Sequence, residues 1–143
     1  MQRIIVSEGY VFIGGALILA VLLGLGVHSY LAVPFVVLAF YFAYFFRNPN
    51  RQIIPDADAI YSPADGTVTE ISPVDDDEFV REKANKVVIF MSVFNVHVNR
   101  SPMDGEIKLQ KYFCGRFRPA YKDTVGKENE HHVLGIENDR IRI

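Results

Sequence analysis

Two side chains in this sequence are of a type and setting suited to moving a proton. Asp65 lies in Ser62-Pro63-Ala64-Asp65-Gly66, a turn in which Gly66 permits a positive φ and the carboxylate can point away from the strand that follows. An Asx-turn that only satisfies backbone N–H groups has the same pattern. His97 stands between Val96 and Val98 in an apolar run that reads as a strand. Burial there favours the neutral imidazole, which can accept a proton and return it. A packed structural histidine is the plainer use of the same position. Arg100 offers a planar guanidinium that suits a phosphate or a carboxylate. Arg47 and Arg51 suit anionic headgroups, and equally serve as the basic flank of an apolar segment.

Other reactive types give less. His131 and His132 are adjacent, so in a strand they face opposite sides, and no metal site is expected. Cys114 is the single cysteine, which excludes an internal disulfide and a Cys-rich zinc module. It reads as a small buried side chain in a reducing, cytoplasm-facing compartment. Ser92 or Ser101 with His97 and Asp65 would formally compose a hydrolase triad, but neither serine has a nucleophile elbow around it. Asn129 and Glu130 are candidates for supporting roles.

The elements that must carry these residues fall into two parts. The chain has 143 residues and a formal charge of −2, which disfavours bulk electrostatic binding to nucleic acid. From Val11 to Phe46 there is no Asp, Glu, Lys or Arg, and only Arg3 and Glu8 among the 15 basic and 17 acidic side chains precede Arg47. Turn formers collect at Gly24-Leu25-Gly26 and Pro34, so the stretch reads as two helical spans of roughly 17 residues joined by a tight turn. A single tilted or re-entrant span is the alternative, and a signal peptide fits poorly. The hairpin sets Arg3, Arg47 and Arg51 on one side, which the positive-inside rule makes cytoplasmic. Tyr10, Tyr41, Tyr44, Phe45 and Phe46 resemble an interfacial aromatic belt.

Residues 47–143 read mainly as short strands: Thr67 to Ile71, Lys86 to Met91, Val96 to Val98 and Ile107 to Phe113. In the last of these Ile107, Leu109, Lys111 and Phe113 share one face, the period-2 pattern of a half-buried strand. Asp75-Asp76-Asp77-Glu78 reads as a solvated loop. Val133 to Ile136, a turn at 137–139 and Arg140 to Ile143 form a hairpin whose second strand is short, and an N-terminal fragment of a longer product is expected. The expected architecture is mainly β, a small barrel- or sandwich-like, hammerhead-like domain over 47–143, behind a membrane-anchoring helical hairpin over 1–46.

Several short motifs occur in series: Phe45-Phe46-Arg47-Asn48-Pro49-Asn50-Arg51, then Ser62-Pro63-Ala64-Asp65-Gly66, then Met91 to Gly105 with Phe94-Asn95-Val96-His97-Val98-Asn99-Arg100-Ser101-Pro102 at its centre. Tyr112-Phe113-Cys114-Gly115-Arg116-Phe117, Ala120 and Asn129-Glu130-His131 follow. Their order and spacing resemble the phosphatidylserine decarboxylases, in particular the short bacterial and archaeal branch that includes archaetidylserine decarboxylase-like members. The likeness runs from Tyr44 to Ile143.

The resemblance implies a membrane-bound enzyme that decarboxylates phosphatidylserine, or an ether-lipid analogue, to the ethanolamine lipid. Its cofactor would be a covalent pyruvoyl group formed when a proenzyme cuts itself at a Gly-Ser bond, leaving a C-terminal pyruvoyl-bearing α-chain as partner. Two-chain processing further implies an assembly larger than one small barrel. By resemblance Asp65 belongs to the self-cleavage machinery and His97 to proton transfer, with Arg100, Asn99 and Arg47 on the substrate side. Longer-chain relatives carry a second histidine where this chain has Arg100, which leaves the base for the cleavage serine open. No glycine here is followed by serine, and Gly66-Thr67 sits where the family does not cut, so these residues alone are expected to be inactive. A different class of function is a non-catalytic anchored β-domain, either a pseudoenzyme or a module similar to lipoyl carriers. Those carriers need a lysine at a hairpin tip, and His97-Val98-Asn99-Arg100 has none.

Overall fold

The computed structural model describes residues 3–52, 56, 59–75, 78–119 and 128–143. Asp76, Asp77 and Ala120, named above, lie outside the described residues. The chain divides into two compact units, one formed by Met1–Gly66 with Met91–Arg100 and the other by Thr67–Phe90 with Ser101–Ile143.

The first unit contains the helical hairpin. Helix α1 spans Ser7–Gly26 and α2 spans Ala32–Phe45, with a short 3-10 turn at Ser29–Leu31 between them. Val27 N–H and His28 N–H both donate to the Leu23 carbonyl at 3.1 and 3.0 Å, which closes the end of α1. Pro34 falls in the first turn of α2, where its missing N–H costs little. The spans are less equal than the sequence suggests. The 20 residues of α1 reach about 30 Å, long and apolar enough to cross a membrane, whereas α2 has 14. The shortfall arises because α1 runs through Gly24 to Gly26 and the 3-10 turn then takes three residues.

Small residues let the two helices approach. Gly9, Ala16 and Ala20 are the buried positions of α1 and Ala39 that of α2, and a Cβ placed on Gly9 would lie 2.5 Å from the Cβ of Phe46. Around this seam the surface stays apolar, with Ile18, Leu22 and Phe40 exposed. The open ends of the hairpin are tied by Val6 N–H to the Phe46 carbonyl at 3.1 Å and Asn48 N–H to the Ile4 carbonyl at 2.6 Å. Arg3 and Arg47 therefore flank the same end, as the expected hairpin requires.

The second unit is built of strands. Strand β1, Thr67–Asp75, pairs antiparallel with β2, Lys83–Phe90, from Thr67↔Phe90 to Asp75↔Lys83, with an irregularity between Val68 and Glu70. Strand β3, Glu106–Phe113, pairs antiparallel with β4, His131–Glu137, from Glu106↔Glu137 to Phe113↔His131. The hairpin expected at the end of the chain is present. Ile136 and Ile143 exchange N–H···O bonds of 2.9 Å each, and the Asn138 side-chain oxygen accepts from Arg140 N–H and Ile141 N–H across the turn. Glu78, at the edge of the acidic run, pairs with Lys111.

Two strand expectations change. The described residues hold two two-stranded sheets and no closed barrel, since closure requires every edge to be paired and each ribbon here pairs its strands only with each other. Val96 to Val98 is irregular. The polar groups around it are satisfied outside any ladder, with the Asn95 carbonyl facing the His97 ring at 3.1 Å and Arg100 N–H bonded to the Pro63 carbonyl at 2.9 Å.

Candidate active site

The exit from α2 fixes the geometry of the first unit, because Phe45, Arg47, Asn48, Pro49 and Arg51 each contact one of the other two motifs. Phe45 stacks on the His97 imidazole, ring centroids 4.3 Å apart and planes inclined by 24°. Arg47 donates through Nη1 to the Tyr44 carbonyl at 2.7 Å and through Nη2 to the Phe94 carbonyl at 2.8 Å, with its guanidinium 3.8 Å above the Tyr44 ring. Asn48 Oδ1 and the Pro49 carbonyl both accept from Arg100 Nη2, at 2.7 and 3.0 Å. Arg51 forms an ion pair with Asp65.

His97 is half-buried, and its Nδ1 lies 3.1 Å from the Asn95 carbonyl. A carbonyl oxygen can only accept, so Nδ1 is the donor of this contact and Nε2 is the ring atom left for proton exchange. The ring is thus fixed in plane by Phe45 and in tautomer by Asn95. Asp65 keeps about a third of its side chain exposed beside Arg51. The turn that carries it is closed by Ser62 Oγ donating to the Ala64 carbonyl at 2.7 Å. Asn99 is exposed, next to the half-buried Arg100.

All five sequence candidates, Asp65, His97, Asn99, Arg100 and Arg47, therefore fall in one compact unit. Arg47 and Arg100 have structural bonds there that sequence reading did not anticipate. Phe45 and Asn95 are site residues that the sequence does not single out, and for Arg51, a candidate headgroup ligand by sequence, the pairing with Asp65 is new. The Asn95-Val96-His97 spacing was a usable signal for Asn95, whereas Phe45 and Arg51 reach partners distant in sequence.

His131, His132, Asn129, Glu130 and Cys114 belong to the second unit. His131 stacks on Phe113, centroids 4.7 Å apart, with Nδ1 2.8 Å from the Asn129 carbonyl, while His132 meets Tyr112 edge-on at 6.5 Å. Asn129 grips the chain through both side-chain atoms, accepting from Arg118 N–H and donating to the Arg118 carbonyl. Glu130 accepts the Tyr112 hydroxyl and raises that phenol above its usual pKa. Cys114, expected to be buried, is exposed, because it follows β3 where strand pairing stops.

The sequence profile described as phosphatidylserine decarboxylase matches residues 38–143, which contain all three interlocked motifs. The chain belongs to the phosphatidylserine decarboxylase family. Similar proteins named phosphatidylserine decarboxylase proenzyme come from several bacteria. That of Symbiobacterium thermophilum is 44% identical over 140 residues, covering 97% of this chain and 65% of the relative. Those of Carboxydothermus hydrogenoformans and Nitrosomonas europaea are 36% and 43% identical, each over 95% of this chain and 63% and 62% of the relative. The chain thus spans a little under two thirds of the decarboxylase proenzymes it matches. No solved structure matches it.

Proposed function

We propose that this chain is the anchoring and proton-handling part of a self-processing decarboxylase that converts phosphatidylserine, or an ether-lipid analogue, to its ethanolamine counterpart. The observation that carries this reading is the family match over 38–143, within which the matched motifs grip one another through side chains. The cofactor is a pyruvoyl group made from a serine in the C-terminal part of the longer protein. The donor set fits such a group, with one basic imidazole nitrogen for proton exchange and guanidinium groups for the anions of an aminophospholipid. When present, that group supplies the electron sink for loss of carbon dioxide.

The side chains then divide the work. With the cofactor present, His97 Nε2 would accept the proton that the substrate ammonium gives up and return it to the headgroup carbon that has lost its carboxylate, while Phe45 and Asn95 hold the ring in its tautomer. Asp65, braced by Arg51, takes part in forming the cofactor by orienting or polarising the base that removes the serine proton. Asn99 and Arg100 meet the headgroup anion. Arg100 is held through Nη2 by Asn48 Oδ1 and the Pro49 carbonyl, and a guanidinium has further N–H donors that suit such an anion. Arg47 adds positive charge where α2 ends. The hairpin anchors the protein in the cell membrane, and Arg3, Arg47 and Arg51 set the site on the cytoplasmic side.

The test is turnover by the product of the whole gene, reconstituted in vesicles containing phosphatidylserine. Carbon dioxide released in step with new phosphatidylethanolamine is expected. A processed, membrane-bound protein that leaves phosphatidylserine unchanged would refute the assignment of substrate.

A further inference from the structure

The turn just before the His97 segment is built against its own composition. Asn95 N–H donates to the Ser92 carbonyl at 2.9 Å, which makes Val93 and Phe94 its two central residues. Those positions ordinarily take Gly, Pro, Asn, Asp or Ser. Here the flanking residues close the turn instead. Asn95 Oδ1 accepts from Ser92 N–H at 2.8 Å, and Ser92 Oγ accepts from Phe94 N–H at 3.4 Å. Val93 and Phe94 are left 53% and 65% exposed at the tip.

The tip is fastened to the end of α2. Tyr44 Oη donates to the Phe94 carbonyl at 3.0 Å, and Arg47 Nη2 donates to the same oxygen at 2.8 Å. Both carbonyl lone pairs are thereby used, so the turn is fixed beside an apolar helix end rich in Tyr and Phe, with a guanidinium next to it. An amphipathic tyrosine and a basic residue at a helix end are the groups that settle in the headgroup layer of a bilayer.

We propose that Val93 and Phe94 form a second membrane contact, a rigid apolar wedge that enters the lipid interface beside the hairpin and sets the depth of the following His97 segment. The occupant of this surface is the lipid bilayer itself. The proposal rests on the reading of the hairpin as a membrane anchor. The wedge adds little area, and the bonds that fasten the tip to the end of α2 set its depth.

This chain has no tryptophan, so Phe94→Trp and, separately, Val93→Trp introduce reporters at exposed positions that do not disturb packing. Leu17→Trp in α1 reports the anchor independently. The whole-gene product carrying each change is reconstituted in phosphatidylcholine vesicles without bromine, with bromine near the headgroup end of the acyl chains to read positions 93 and 94, and with bromine near their methyl ends to read position 17 at the middle of α1. Any emission from tryptophans elsewhere in the product is subtracted using the unsubstituted protein. The wedge predicts that emission from positions 93 and 94 shifts to shorter wavelength and falls about twofold in the brominated vesicles, as expected for an indole at the interface. Quenching at position 17 with water-like, unquenched emission at 93 and 94 overturns the wedge and leaves the anchor standing. Short-wavelength emission at 93 and 94 that bromine does not quench also overturns it, because protein then covers the tip. Absence of quenching at position 17 refutes the anchor reading instead, and if 93 and 94 are also unquenched the wedge falls with it.

Discussion

His97→Asn is expected to lower lipid turnover by roughly 10²- to 10⁴-fold, the usual contribution of a positioned general acid or base, while the protein still folds and still cleaves itself. Asparagine is the informative replacement. Its side-chain amide can repeat the Nδ1 bond to the Asn95 carbonyl but offers nothing in place of the basic Nε2. Loss of turnover without loss of fold then isolates the proton-transfer atom from the packing of the ring. Phe45→Leu is the companion variant. It removes the face-to-face support at 4.3 Å but leaves the nitrogen, so turnover should fall by much less, on the order of the 0.5–1.5 kcal/mol that ring contacts contribute beyond area. Turnover in His97→Asn equal to that of the parent protein would remove His97 from the mechanism.

The second large effect belongs to Arg100. Its Nη2 bonds to Asn48 Oδ1 and the Pro49 carbonyl join the segment after α2 to the His97 segment, and its backbone N–H reaches the Pro63 carbonyl next to the Asp65 turn. Arg100→Met keeps the backbone bond and the side-chain bulk but strands both side-chain acceptors. Charge-assisted hydrogen bonds of this kind contribute about 1.5–3 kcal/mol each, and solvent screening at this half-buried position brings the expected loss for the pair to about 2–4 kcal/mol, read as a lower unfolding midpoint in detergent micelles. Arg100→Lys should recover only part of it, because a point ammonium cannot reproduce the fork. KM and kcat separate the two roles proposed for this residue. A raised KM on top of the lost stability marks headgroup binding, an unchanged KM marks a clamp alone, and an unchanged midpoint contradicts the clamp.

The parts of the fold that a sequence displays are those set by local pattern. The absence of charge from Val11 to Phe46 and the cluster Gly24-Leu25-Gly26 define a helical hairpin, because an uncharged run of that length has no aqueous face. Alternation from Ile107 to Phe113 marks β3 as a strand, but the half-buried face it suggests is not covered among the described residues, since Ile107 and Phe113 are exposed and only Leu109 is partly buried. Val96 to Val98 has the composition of a strand and yet is irregular, because β-branched residues report a half-buried setting rather than a ladder. Here that setting includes the Phe45 ring and the Arg100 clamp.

The candidate residues are legible in the sequence, and their contacts are not. Asp65, His97, Asn99, Arg100 and Arg47 stand out in sequence because their motifs occur in series. Nothing local shows that Arg51 pairs with Asp65, or that Arg100 reaches back 52 residues to Asn48. Those pairings depend on the chain leaving α2 and returning to its end, which is a property of the tertiary fold. Arg47 illustrates the difference. Its sequence context supports membrane flanking and headgroup binding alike, whereas its bonds to the Tyr44 and Phe94 carbonyls give it a third use, as a clamp.

The central claim is that this chain is one part of a proenzyme that makes its cofactor by cutting itself, and an intact-mass spectrum of the protein produced from its whole gene tests it most directly. The account predicts two fragments, the larger containing the residues described here and the smaller beginning with a pyruvoyl-blocked N-terminus. A single uncut species from an active-site-intact protein would contradict it, and would mean that the interlocked motifs have been kept for a purpose other than decarboxylation.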